Sequence, residues 1–254
     1  MLKIIDKKIK LVKPDAVLFD TDNTLYEYEP ANNKAVKEVA LKMKNLIGIS
    51  EKNFLEKYSQ AKKEIKMQLG NTASSHSRLL YFQRVLEIIG LKAQLLIALD
   101  LEQTFWRTFL ENAPLFEGVK DFFFTLKKED IPIAIVTDLT SHIQFRKLTY
   151  FGLEDVFDAV VTSEEVGADK PDKKIFTLAL DKLRLTSKNR IWMIGDNPYA
   201  DIFGGKQINS LTLQKIHKGI EQGLNENSPD IIFDNFNDLK RYFKKSILIN
   251  YESK

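Results

Sequence analysis

Short, nearly continuous apolar runs recur along this chain at Asp15–Phe19, Ile131–Val136, Ala159–Val161, Ile191–Ile194, Leu211–Leu213 and Ile231–Phe233. Strands buried on both faces of a parallel sheet carry this texture, and intervals of roughly 20–30 residues between the later runs leave room for a helix in each. The pattern predicts an α/β fold, a parallel sheet with helices on both faces. The last run, followed by Phe236, Leu239 and Phe243, reads as a final strand and a closing helix.

The first run stands apart from the second. Between them the apolar positions keep a helical period: Val36, Val39, Met43 and Ile47; then Phe54, Tyr58, Ala61, Ile65 and Leu69; then Leu79, Phe82, Leu86 and Ile89; then a longer stripe from Leu95 to Phe109. Ser50 is placed to cap the second of these helices and Gly90 to stop the third. The expected organisation is an α/β core of residues 1–25 and 113–254, interrupted by an all-helical insertion of residues 26–112. Ligands bind an open parallel sheet at the carboxyl ends of its strands, and the insertion leaves from that end. It is therefore expected to act as a cap.

Composition narrows the chemistry. The 254 residues are 44% hydrophobic and 29% charged, ordinary for a globular protein. A net charge of +3 gives no reason to expect nucleic acid or an anionic membrane as partner, and no apolar stretch approaches the length of a membrane span. Residues Met1 to Lys13 alternate apolar and basic positions without the continuous apolar stretch of a signal peptide, so a cytoplasmic location is expected. The absence of cysteine removes disulfides, thiolate metal sites and thiol nucleophiles together. Any bound metal must be held by oxygen.

Acids and a few polar groups cluster at the predicted strand ends. The first run ends in Asp20-Thr-Asp22-Asn23-Thr24, the second in Thr137-Asp138, and the fourth in Gly195-Asp196 with Asp201 close behind. The third leads through a short loop to Lys170-Pro171. Two half-buried carboxylates two residues apart need a cation or a proton to offset their repulsion. Together these parts suit phosphoryl transfer through a carboxylate nucleophile. Mg²⁺ favours oxygen ligands, and Asp20, Asp196 and the backbone carbonyl of Asp22 would hold it. Thr137 and Lys170 would bind phosphoryl oxygens, and Asp22 would move protons.

These residues, in this order, resemble the four motifs of the haloacid dehalogenase superfamily of phosphohydrolases. The resemblance spans nearly the whole chain and implies a Rossmann-like core with a helical cap, Mg²⁺ dependence, Asp20 as nucleophile and Asp22 as acid and base. It also implies that Asp201 lies near the metal, behind its direct ligands. Two positions depart from the common pattern: Asn23 where glycine is frequent, and Asp138-Leu139 where asparagine and glycine are frequent. Asp138 and Asn23 are accordingly candidates for contacts to the substrate, as is Arg78 of the cap, which would read an anionic group.

Several of these residues also have ordinary structural readings. Thr137 could cap the following helix, Asp201 could cap its own, and Lys170 could be a solvated loop lysine. The expected reaction is hydrolysis of a small phosphorylated metabolite: a sugar phosphate, a nucleoside monophosphate or an acidic sugar phosphate. The alternatives are a 2-haloacid dehalogenase, which needs neither Asp22 nor a metal, and a phospho-accepting or binding protein of the same fold. A signalling receiver domain would have its acids in another order and no helical insertion. The oligomeric state is left open.

Overall fold

The computed structural model describes residues 1–9 and 12–252. They form two compact units, one of Met1–Tyr26 with Leu115–Lys254 and one of Glu27–Pro114. The chain leaves and re-enters the first unit side by side, with Tyr26 bridged to Leu115 and Phe116 N–H donating to Leu25 O at 2.8 Å.

In the first unit seven strands make one sheet: β1 (Leu2–Ile4), β2 (Ala16–Phe19), β3 (Ile133–Thr137), β4 (Ala159–Thr162), β5 (Ile191–Gly195), β6 (Leu211–Lys215) and β7 (Ile231–Phe233). Their order is β1-β7-β6-β5-β2-β3-β4, all parallel except β1, which pairs antiparallel with β7. The chain runs from β2 outward through β3 and β4, then returns to the other side of β2 to lay down β5, β6 and β7. The strand order thus reverses between β2 and β5, the place at whose carboxyl ends open parallel sheets bind their ligands.

Alternate residues of the buried strands face opposite layers. On one face Ala16, Leu18, Ala134, Val136, Val161 and Met193 pack with Ile175, Phe176, Ala179 and Leu180 of the helix Lys173–Lys182. On the other, Phe19 meets Phe123 edge to face at 4.9 Å, and Trp192 meets Phe243 at 5.9 Å. The helices Val119–Lys128 and Phe236–Glu252 supply these rings. Each fully buried phenylalanine contributes about 2–3 kcal/mol of transfer free energy.

The strand expected at Ile131–Val136 begins two residues later and ends one later. Ile131 is still closing the preceding helix, its N–H donating to Leu126 O at 3.0 Å. The strand β1 falls where the sequence showed only apolar and basic alternation. Its three residues pair along one edge only, and that pairing with β7 makes them a strand.

The second unit is helical: α1 (Tyr28–Ile47), α2 (Glu51–Leu69), α3 (Arg78–Ile88) and α4 (Leu95–Glu111). The helix α1 packs against α4; Ala31, Ala35 and Ala40 are buried on the first and Leu101, Phe105 and Phe109 on the second. Ser50 caps α2 by accepting from Asn53 N–H. Gly90, with φ of +84°, ends α3 in the left-handed conformation that glycine adopts without strain. The buried stripe of α3 differs from the expected one: Tyr81, Phe82, Val85 and Leu86 are buried, whereas Leu79 and Ile89 are only half-buried. Two apolar diagonals were available on that helix. Stacking of Tyr58 on Phe82 and the bond from Tyr81 O–H to Ser75 O select this one. Ile47, at the end of the first expected stripe, is exposed.

Candidate active site

The residues at the reversal point come from consecutive strand ends. Asp20 extends β2 by one position, its N–H donating to Ile194 O at 2.9 Å. Thr137 is the last residue of β3, and Asp196 follows the last residue of β5. The helix after β3, α5 (Ser141–Tyr150), has Thr140 at its N-cap position, so the capping reading of Thr137 does not hold.

Lys170 joins this group from the loop after β4. Its Nζ donates to Asp20 Oδ1 at 2.6 Å, Asp201 Oδ1 at 2.7 Å and Val136 O at 3.1 Å. The side chain is 3% exposed, so the solvated-loop reading fails as well. Burial alone would lower its pKa, but Asp20, Asp201 and Asp138 outweigh this and hold the ammonium well above the ordinary lysine value. Thr24 O–H donates to Asp20 Oδ2 at 3.0 Å, so both oxygens of Asp20 are oriented.

Asp201 is not a cap either. It sits inside a π-type turn, Pro198–Phe203, whose N-cap is Asn197 with its side chain accepting from Tyr199 and Ala200 N–H. The Asp201 carboxylate accepts from Lys170 and, at 3.0 Å, from Asn197 N–H. Gly195 makes room for it, since a Cβ there would lie 2.3 Å from Asp201 Cγ.

Asp20, Asp196 and Asp201 each offer an oxygen within 4.8 Å of the others. Burial, followed by the neighbouring charges, pushes Asp196 up to about 9 and Asp20 up to about 7, with Lys170 partly offsetting the rise at both. Burial likewise raises Asp201. Burial and mutual repulsion thus disfavour the ionised form of all three acids, and one lysine offsets this only in part. An all-oxygen set of this kind suits a hard divalent cation.

Asp22 faces a different environment. Lys147 of α5 donates to both of its oxygens, at 2.8 and 3.1 Å, and Tyr26 O–H donates to Oδ1. Sequence reasoning missed Lys147: a lysine on an amphipathic helix reads as solvated, and only its neighbours Ile143, Gln144 and Leu148, all on the buried face, hinted otherwise. Asn23 takes φ of +60°, a conformation that asparagine tolerates better than most residues, which explains its standing in for glycine. Asp138 turns its carboxylate toward the protein, accepting Lys170 N–H at 2.8 Å, and burial raises its pKa to about 6. Leu139 has φ of +101° in a region that favours glycine, and Ser163 Oγ accepts its N–H at 3.0 Å. Arg78 belongs to the helical unit. There its guanidinium donates to His76 O and Tyr28 Oη and lies over the rings of Tyr81, Phe105 and Trp106.

A profile of the haloacid dehalogenase-like hydrolases matches residues 14–209 of this chain. The chain belongs to that family. A ribulose-1,5-bisphosphate 5-phosphatase from Halopiger xanaduensis is 40% identical over 195 residues, covering 76% of this chain and 81% of that one. This member of the haloacid dehalogenase-like hydrolases is thus a phosphatase. Among solved structures, a phosphatase of the family from Thermococcus onnurineus superposes with a TM-score of 0.69 at 23% identity, covering 89% of this chain and 96% of that one. A 2-haloacid dehalogenase from Pseudomonas syringae superposes with a TM-score of 0.72 at 21% identity, covering 92% and 99%. Both cleave different bonds on one fold, so the fold does not by itself choose the reaction.

Proposed function

We propose that this protein is a Mg²⁺-dependent phosphomonoesterase that hydrolyses a small phosphorylated metabolite through an aspartyl phosphate on Asp20. The observation that carries this reading is the unequal setting of the two acids. The Asp20 side chain is 8% exposed against Lys170, whereas that of Asp22 is 34% exposed against Lys147. A buried, oriented carboxylate suits nucleophilic attack, and a more open one suits proton exchange with a leaving group or water. A dehalogenase would have no use for the second acid.

Asp20, Asp196 and Asp201, with the carbonyl of Asp22, are the groups that would hold the metal. When bound, it would offset the negative charge of the phosphoryl oxygens. In the first step an Asp20 oxygen bonds to phosphorus, the bond from phosphorus to the leaving oxygen breaks, and Asp22 gives that oxygen its proton. In the second, Asp22 takes a proton from water, whose oxygen bonds to phosphorus as the Asp20–phosphorus bond breaks. Thr137 and Lys170 hold the phosphoryl oxygens meanwhile. The helical unit Glu27–Pro114 serves as the cap that selects the leaving group. The relative that acts on ribulose 1,5-bisphosphate makes phosphorylated sugars the substrates to try first.

The test is phosphate release from p-nitrophenyl phosphate with Mg²⁺, followed by a panel of sugar phosphates and nucleoside monophosphates. Asp20→Asn is expected to abolish turnover on all of them. Parent-like turnover in that variant would rule out the mechanism.

A further inference from the structure

Gln144 lies on α5, fully buried, with no part in the reaction as described above. A buried amide is costly unless its hydrogen bonds are made, and here one of them reaches the Thr137 hydroxyl. Its Nε2 lies 2.7 Å from the carbonyl oxygen of Asp138. A carbonyl only accepts, so the group facing it is the NH₂, and the orientation of the amide is settled. The same Nε2 donates to Thr137 Oγ1 at 2.8 Å.

Thr21 Oγ1 stands 2.9 Å from Thr137 Oγ1, a contact that uses one proton. If that proton were Thr137's, Thr21 would have to donate to Gln144 Oε1 at 3.5 Å, a long and weak bond. With Thr21 as donor, both lone pairs of Thr137 are filled, one by Gln144 and one by Thr21. The remaining Thr137 proton has Asp138 O at 3.3 Å as its protein acceptor. A phosphoryl oxygen, being charged and unhindered, would take it readily.

We propose that Gln144 is a positioning residue that sets the direction of this hydroxyl chain, filling the Thr137 oxygen so that its O–H is presented to the phosphoryl group. The inference rests on the phosphatase reading. A purely structural amide would serve the packing of α5 against β3 and would act independently of Thr137.

The experiment compares the full-length parent with Gln144→Glu, Gln144→Met, Thr137→Val and the two double variants. Hydrolysis of p-nitrophenyl phosphate with Mg²⁺ and inhibition by inorganic phosphate are measured on each. Gln144→Glu puts an acceptor where the donor stood and turns the Thr137 proton inward. Its kcat is expected to fall about 100-fold, the lower end of what losing one preorganised donor costs, with KM changing far less and phosphate inhibiting more weakly. Gln144→Met is expected to show a smaller loss of the same kind. In the Thr137→Val background neither change should cost anything further. A loss of equal size in both backgrounds, or parent-like kcat in the folded variants, would overturn the proposal. Should Gln144→Glu fail to fold, the Met variants give the same comparison. Turnover surviving Asp20→Asn would instead remove the phosphatase reading itself, so the two failures are distinct.

Discussion

Lys147 Nζ spans both carboxylate oxygens of Asp22, at 2.8 and 3.1 Å, across 125 positions of sequence. The ammonium is almost wholly buried and lies 5.9 Å from the centre of the Tyr26 ring, whose hydroxyl donates to the same carboxylate. Lys147→Met is expected to lower kcat/KM about 10- to 100-fold, a part of the roughly 100- to 10,000-fold that positioned proton transfer supplies. The loss should be larger for an alkyl phosphate, whose leaving oxygen needs a proton, than for p-nitrophenyl phosphate. Lys147→Arg should restore part of it. Equal losses on the two substrates would show that Lys147 does not act through Asp22.

The three clustered carboxylates make metal binding a stability term. Mg²⁺ at about 100 times its dissociation constant should stabilise the metal-stripped protein by about 2.7 kcal/mol, a rise of roughly 5–10 °C in Tm. Chelation should reverse the rise and stop phosphate release. Asp196→Asn should lose most of the metal-dependent rise while melting no lower than the parent without metal, because it relieves crowding among Asp20, Asp196 and Asp201. Differential scanning fluorimetry with and without chelator checks each point.

Gly195 is required by the close approach of Asp201. An added Cβ would meet Asp201 Cγ and Oδ2 at 2.3 Å, and Asp201 cannot retreat without releasing Lys170 and Asn197 N–H. Gly195→Ala is expected to cost about 1–3 kcal/mol in a denaturant titration, the range for overpacking, and to lose most of the activity. Parent-like activity would mean that the Asp201–Lys170 pair is dispensable.

The pair of Asp15 and Arg190 gives a pH-dependent contribution far from the chemistry. Asp15 accepts from the Arg190 guanidinium and, at 2.9 Å, from its backbone N–H, and the guanidinium holds its carboxyl below the ordinary value of 3.8. A depressed carboxylate stabilises the fold at pH above its unfolded value, and the contribution is lost as pH falls through the folded one. Asp15→Asn should therefore cost about 1 kcal/mol at neutral pH, typical of a partly exposed pair. The gap should close below about pH 4. A constant gap from pH 7 to pH 3 would contradict this origin.

Much of the core was legible because buried parallel strands are apolar on both faces and so leave a mark that needs no partner. The acids at Asp20, Asp22 and Asp196 were legible for a related reason, since each lies at or just beyond the end of such a run. The edge strand Leu2–Ile4 was not, because three half-exposed residues carry no pattern of their own until β7 pairs with them. Nor was the choice between the two diagonals of α3, which its neighbours made. Thr137, Lys170 and Asp201 each allowed an ordinary reading, which the N-cap positions of Thr140 and Asn197 and the burial of Lys170 excluded.

By itself the sequence determined the buried parallel strands, the helical periodicity between the first two of them and the types of group at the strand ends, since periodicity and strand-end position are local properties of a chain. Tertiary structure alone decided how those groups are held. It placed Lys170 between Asp20 and Asp201, buried Lys147 against Asp22, and set Gln144 against Thr137. Polar side chains on amphipathic helices look alike in sequence. Burial makes their hydrogen bonds obligatory, and the partners that satisfy them range from the neighbouring strand end, for Gln144, to residues more than a hundred positions away, for Lys147.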